Sequence, residues 1–198
     1  MTLCSRSVAG MPSSITPDIA GLRALSHPVR LKMLTLLRAE GPATATTLAQ
    51  RLDLNTGATS YHLRQLAQHG FIEEDAERGT ARDRWWRAAH QSTRTDFREK
   101  RVDDTDVEAY LTTVAMLYAD RTRAAVTELP FLPEEWRTAG TLSDWELRLT
   151  ATQAERLVRA LAEVIEEADG GTDNDADAKP FVVNLNAYPR PGQEWGES

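Results

Sequence analysis

The 198-residue chain is 41% hydrophobic and 27% charged, which allows a packed core beneath an ordinary polar surface. Its single cysteine, Cys4, excludes an internal disulfide, and no apolar run reaches membrane-spanning length. The net charge of −7 is unevenly spread: residues 18–101 hold 14 basic and 10 acidic side chains, residues 102–198 hold 8 and 20. The first half therefore suits a phosphate surface and the second should stay off one, unless both are simply solvated faces with clustered charge.

Residues 1–15 read as a flexible arm, and Met1 to Pro17 lacks the apolar core of a leader, so the expected compartment is the cytoplasm. Thr16-Pro17 is a cap followed by an N1 proline, opening a helix with Ile19, Leu22 and Leu25 on one face. Ser26-His27-Pro28 interrupts it and starts a second helix to about Ala39, with Val29, Met33, Leu36 and Leu37 inward, which Gly41-Pro42 stops.

A short helix with the stripe Leu48, Ala49 and Leu52 follows. It breaks at Leu54-Asn55-Thr56-Gly57, and a second helix carries Leu63, Leu66 and Ala67. Two short helices joined this tightly pack stripe on stripe and leave one face of the second helix free, the arrangement that places a helix in the DNA major groove. With Leu63 and Leu66 inward, Gly57, Ser60, Tyr61 and Arg64 fall on the free face. Small side chains at Thr56, Gly57 and Ser60 let the backbone sit deep in a groove with the helix N-terminus near phosphate. Arg64 suits phosphate and Gln65 has the chemistry of an adenine reader. Tyr61 could instead fold onto the hairpin that follows. His62 reads as a packing residue.

Gly70 ends this helix and Phe71-Ile72 begins a strand. Glu77-Arg78-Gly79-Thr80 turns a hairpin, and Arg82 to Ala88 returns. Arg82 and Arg84 flank Asp83 and point to one face. Arg78, Arg82 and Arg84 suit phosphate or the narrow minor groove; pairing with Glu77 and Asp83 is the alternative. Trp85 and Trp86 face opposite ways, one into the core and the other towards the C-terminal region.

Leu25-Ser26-His27-Pro28-Val29-Arg30, then Ser60-Tyr61-His62-Leu63 with Leu66, then Gly70-Phe71-Ile72 resemble the winged helix-turn-helix of ArsR-type (ArsR/SmtB-like) bacterial transcriptional regulators. The resemblance covers about residues 18–90. It implies a dimeric DNA-binding repressor or activator, with Ser60 and Tyr61 at positions that such regulators use on bases.

Metal sensing, familiar in that family, lacks its ligands here. Cys4 is the only thiol and no histidine follows His90, while Asp103, Asp104 and Asp106 read as a helix-start cap. No metal and no cofactor is expected.

Asp106 to Glu128 reads as a helix whose face of Val107, Tyr110, Leu111, Val114, Leu117 and Tyr118 is the expected dimer interface. Pro130, Pro133 and Gly140 break the chain. Trp145-Glu146-Leu147-Arg148-Leu149 alternates like a strand, Thr152 with Glu155 forms a capping box for a helix to about Glu167, and Phe181 to Asn186 is a last strand beyond a mobile acidic loop, 170–178. Tyr110, Tyr118, Phe131, Trp136 and Trp145 could line a pocket for a small-molecule, non-metal effector, or simply form core.

The expected fold is mainly α with small β: a winged helix-turn-helix domain at 16–100, then a dimerising helix and a small α+β subdomain in 101–198. The expected function is a homodimeric, sequence-specific regulator of double-stranded DNA on a pseudo-palindromic operator, with repression the expected output and no membrane partner. No nucleophile triad, phosphate loop or carboxylate pair marks an enzyme. The alternative is a winged helix used for protein–protein assembly.

Overall fold

The computed structural model describes residues 14–79, 83–95, 105–168 and 177–194. Cys4, Arg82, Asp103, Asp104, most of the arm and most of the 170–178 segment lie outside them. The chain divides into two compact units, Met1–Arg137 and Thr138–Ser198.

The first unit opens with β1 (Ser14–Ile15), which pairs in parallel with β5 (Ser92–Thr93), so these two residues are not part of a loose arm. Helix α1 (Ile19–Leu25) starts two residues later than the Thr16-Pro17 signal suggests. The carboxylate of Asp18 is the cap, accepting the Gly21 N–H at 2.7 Å, and Pro17 stands outside the helix. Helix α2 (Pro28–Glu40) begins on its N1 proline, with His27 as cap, and ends at Gly41, whose φ of +87° favours glycine.

Strand β2 (Ala43–Thr44) leads into α3 (Ala45–Leu52), capped by Thr44. Asp53, at φ +52°, turns the chain into α4 (Thr56–Gln68), capped by Asn55. The wing follows as β3 (Ile72–Glu74) and β4 (Trp85–Ala88), and β4 lies between β2 and β3 in an antiparallel three-stranded sheet.

Leu22, Leu25, Met33, Leu34, Leu63, Leu66 and Phe71 are fully buried in one cluster, so α1, α2 and α4 meet over the sheet. Of the two tryptophans Trp86 is the core residue, while Trp85 lies against Arg78 of the wing rather than a C-terminal element.

Helix α5 (Thr105–Glu128) closes this core, and the expectation for its apolar face changes here. Val107 and Tyr110 are buried inside the unit, and Val114 and Leu117 pack half-buried on the same cluster. Arg23 Nε donates to Asp106 Oδ2 at 2.9 Å and Thr113 Oγ1 to the Ser26 carbonyl at 2.8 Å, tying α5 to α1. Arg38 donates to the His90 carbonyl at 2.8 Å and to Thr93 Oγ1 at 2.9 Å; burial pushes its guanidinium down to about 10, opposed by Tyr110 and Tyr118 nearby. Tyr110 is thus core, not dimer seam or pocket wall. Phe131 is 85% exposed and Trp136 is half-buried.

In the second unit α7 (Ala151–Ala168) is capped two residues before the expected Thr152/Glu155 box. Thr150 Oγ1 accepts the Gln153 N–H at 3.3 Å, and Gln153 Oε1 accepts the Thr150 N–H at 2.9 Å. Neither 144–149 nor 181–186 joins a ladder among the described residues. A strand persists only where its backbone groups find a neighbouring strand, and the described residues of this unit supply none. The fold is mainly helical with two small sheets, and among the described residues both lie in the first unit. After α5, a single 3₁₀ turn at Leu129–Phe131 leads to α6 (Glu134–Ala139).

Candidate nucleic-acid interface

The outer face of α4 is built by what α4 buries. Leu63 and Leu66 are fixed in the core, and the Thr59 hydroxyl, also fully buried, donates to the Asn55 carbonyl at 3.0 Å. Asn55 Oδ1 takes the Ala58 N–H at 2.8 Å. These anchors leave Thr56, Gly57, Tyr61 and Arg64 exposed, with Ser60 and Gln65 half-buried. Tyr61 is 52% exposed. Arg64 Nε reaches back to the Ser60 carbonyl at 3.2 Å, and Gln65 Nε2 donates to Gln68 Oε1 at 3.4 Å.

A groove of about 420 Å³ separates this helix from the wing, lined by Thr44, Ala45, Thr46, Thr56, Ser60, Arg64, Asp83, Arg84 and Trp86. It brings four of the sequence-predicted residues together: Thr56, Ser60, Arg64 and Arg84. The Thr44-Ala45-Thr46 wall at the start of α3 was not anticipated. The signal was present in Thr-Ala-Thr-Thr, a run of hydroxyls at a helix N-terminus, which suits a phosphate oxygen.

The wing arginines divide between two faces. Arg84 lies over the Trp86 ring at 5.7 Å and pairs with Glu74 at 3.2 Å, on the groove side. Arg78 lies over Trp85 at 5.9 Å and pairs with Asp75 at 3.5 Å. Neighbouring residues on a strand point to opposite faces, so Arg78 stands on the far side of the wing. Asp75 and Glu74 are thus acidic partners of these two arginines. The Arg84–Glu74 pair is exposed on both sides and contributes about 0–1 kcal/mol, so phosphate can replace that carboxylate at little cost.

Residues 25–75 match a family model described as a helix-turn-helix domain. The matched span takes in α2, α3, α4 and β3 and ends before β4. No curated protein matches the chain. Among solved structures, the chain is similar to Lactococcus lactis ZitR, a C30AH42A mutant in apo form, at 15% identity and a TM-score of 0.33, covering 73% of this chain and 84% of that one. It is also similar to the adhesin competence repressor AdcR from Streptococcus pyogenes, at 13% identity and a TM-score of 0.30, covering 72% and 81%. Likeness that low carries no argument; the helix-turn-helix assignment stands on the matched span and on the packing of α3 and α4.

Among the described residues no three His, Cys, Asp or Glu side chains cluster as a metal site would require, and no helix is long and apolar enough to cross a membrane.

Behind Tyr61 two histidines meet. The rings of His27 and His62 are 4.5 Å apart, and Tyr61 meets His62 edge-on at 5.5 Å. His27 Nδ1 accepts the Val29 N–H at 3.2 Å, so that nitrogen must be unprotonated to cap α2. Partial burial lowers both pKa values; Arg30 adds to this at each, and His27 at His62. A group with a lowered folded pKa stabilises fully above its unfolded value of 6.5, and that contribution is lost as pH falls towards the folded value. Thermal stability should fall between about pH 7.5 and 5.5. His27→Asn, which keeps a capping acceptor without the charge, should reduce the fall, as melting curves at both pH values would reveal. An equal fall in both proteins would assign the effect elsewhere.

Proposed function

We propose that the chain is an ArsR-type winged helix-turn-helix transcriptional regulator, a repressor that acts as a homodimer on a pseudo-palindromic operator. The observation that carries the reading is the groove in which Thr56, Ser60 and Arg64 of α4 face Arg84 of the wing, with Tyr61 projecting beside it. In this reading α4 enters the major groove, Ser60 and Tyr61 meet base edges, and Gln65 reads further along the helix. Gly57 allows close approach of the helix start, and Arg64 and Arg84 hold phosphate on either side. Arg78 and Arg82 act from the wing at phosphate or the minor groove. Half-sites would lie about one helical turn, ~10–10.5 bp, apart. The role is recognition, not catalysis.

The test is fluorescence anisotropy on DNA from upstream of the protein's own gene against a shuffled duplex, across a salt series. A preference of roughly a thousandfold or more for the native duplex is expected. Tyr61→Ala and Ser60→Ala should mainly narrow that preference, by about 1–3 kcal/mol for each base pair no longer read. Equal weakening on both duplexes from Tyr61→Ala would refute its base-reading role. No binding to either duplex at low salt would bring forward the protein-assembly alternative.

A further inference from the structure

From Met116 onward the chain carries apolar surface that its own fold leaves in solvent. Among the described residues, all the exposed large hydrophobic side chains except Ile19 and Tyr61 lie there. Within Thr138–Ser198 no described residue is buried. Yet α7 has the pattern of a packed helix. Leu157, Val158, Leu161, Val164 and Ile165 share one broad face, while Arg156, Arg159, Glu163 and Glu166 occupy the other. Ahead of it, Trp145, Leu147 and Leu149 alternate with Glu146 and Arg148, so this stretch, when extended, carries its apolar side chains on one side. Trp145 is 77% exposed.

These two faces match, but the chain's connectivity keeps them apart within one copy. Only Thr150 stands between Leu149 and the first residue of α7, and Thr150 is already committed as the cap. Folding a strand back onto the following helix takes a connection of about 2–6 residues. The single residue Thr150 is shorter than such a connection, so the 145–149 segment is poorly placed to cover α7 of its own copy. Five extended residues span about 17 Å, enough to cross the apolar face from Leu157 to Ile165, about 12 Å long at 1.5 Å per residue. A second copy offers the same helix and the same apolar segment, so one two-fold axis covers both at once.

We propose that Thr138–Ser198 is an exchange interface, in which the 145–149 segment of each copy lies on α7 of the other. The proposal rests on the homodimeric reading above and places the dimer in this unit instead of on α5. A monomer rarely exposes a patch above a few hundred Å², whereas a stable dimer covers about 800 Å² on each partner. The unit carries 12 acidic and five basic side chains, so two copies repel. The charges of α7 lie off the apolar face, where salt screens them within about 8 Å. Added salt should therefore tighten the dimer while it weakens DNA binding.

The test uses the full chain with Cys4→Ser. Light scattering should give a dimer, and Leu161→Asp should give a monomer at the same micromolar concentration with the cooperative melting of the first unit retained. Mixing Leu147→Cys chains with Leu161→Cys chains under mild oxidation should yield a covalent pair containing one of each. In the chain with both cysteines, the main product should be a covalent dimer. Four results would overturn the exchange: a monomeric parent chain, a Leu161→Asp chain that remains dimeric, no mixed cross-link, or only an internal disulfide in the double variant. Anisotropy separates the two readings. A Leu161→Asp dimer that still selects the native duplex defeats the exchange alone, and a cross-linking dimer that binds no duplex defeats the regulator reading alone.

Discussion

Arg64→Ala combined with Arg84→Ala should weaken binding to every duplex by at least roughly a hundredfold, and should flatten the log–log salt dependence by about 2 per protomer. Both guanidinium groups border the groove between α4 and the wing, and both are exposed. Their present partners are weak. Arg64 holds one carbonyl of its own helix at 3.2 Å, and Arg84 holds the exposed Glu74. Exchanging these for phosphate oxygens adds charge-assisted bonds of about 1.5–3 kcal/mol each, against little given up in the free protein. Two such bonds amount to about 3–6 kcal/mol, or roughly 10²–10⁴ in affinity. Since phosphate contacts are blind to sequence, the ratio between native and shuffled duplex should change much less than either affinity.

Arg87→Ala is the matched control. Arg87 is also an exposed arginine of β4, paired with Glu73 at 2.8 Å, but its position in the strand alternation turns it away from the groove. Removing it takes the same unit of charge from a position three residues beyond Arg84. If Arg87→Ala costs as much as either groove substitution, the affinity comes from the general field of a basic half and not from a built site. An unchanged salt slope in the double variant would sink the phosphate role of both arginines.

The legible parts of this chain were those dictated by local rules. Pro28 at N1, Gly41 beyond a helix end, and the Leu48/Leu63/Leu66 stripes each declare themselves within a few residues, and the helices stand where those signals put them. The Thr16-Pro17 signal misled because Asp18, two residues on, is an equally good cap and the structure uses its carboxylate. Alternation at 144–149 reports a segment with two unlike faces but says nothing of whether a neighbouring strand exists. Likewise, the apolar stripe of α5 is real, and periodicity cannot say whether its cover is a second copy or the α1–α2 pair of the same chain. The separation of Arg78 from Arg84 followed from strand alternation through Trp85 and Trp86, once the ring that each guanidinium covers was known.

Phe71→Ala should be the most damaging single substitution for the fold, costing about 3–5 kcal/mol. Its side chain is fully buried, and a Cβ placed on Gly21 would come within 3.2 Å of the ring, so the site is filled to contact. Its backbone joins α4 to the wing: the N–H donates to the Leu66 carbonyl at 3.0 Å, and its own carbonyl accepts the Ala89 N–H at 3.0 Å. The fixed backbone prevents the surroundings from collapsing into the space left by the ring, which puts the cost in the upper part of the range for large-to-small changes. Against a typical total of about 5–15 kcal/mol, that is roughly a quarter or more of the stability, or a melting temperature lower by on the order of 10 °C. Urea unfolding should show a lower midpoint with little change in slope. Phe71→Leu should recover much of the stability, because most of the apolar volume returns. Below its own transition, the Phe71→Ala chain should still prefer the native duplex, since the outer face of α4 is untouched. A cost below about 1 kcal/mol would mean that the junction of α1, α4 and β3 is not the centre of the core, and that α4 is held in place by other packing.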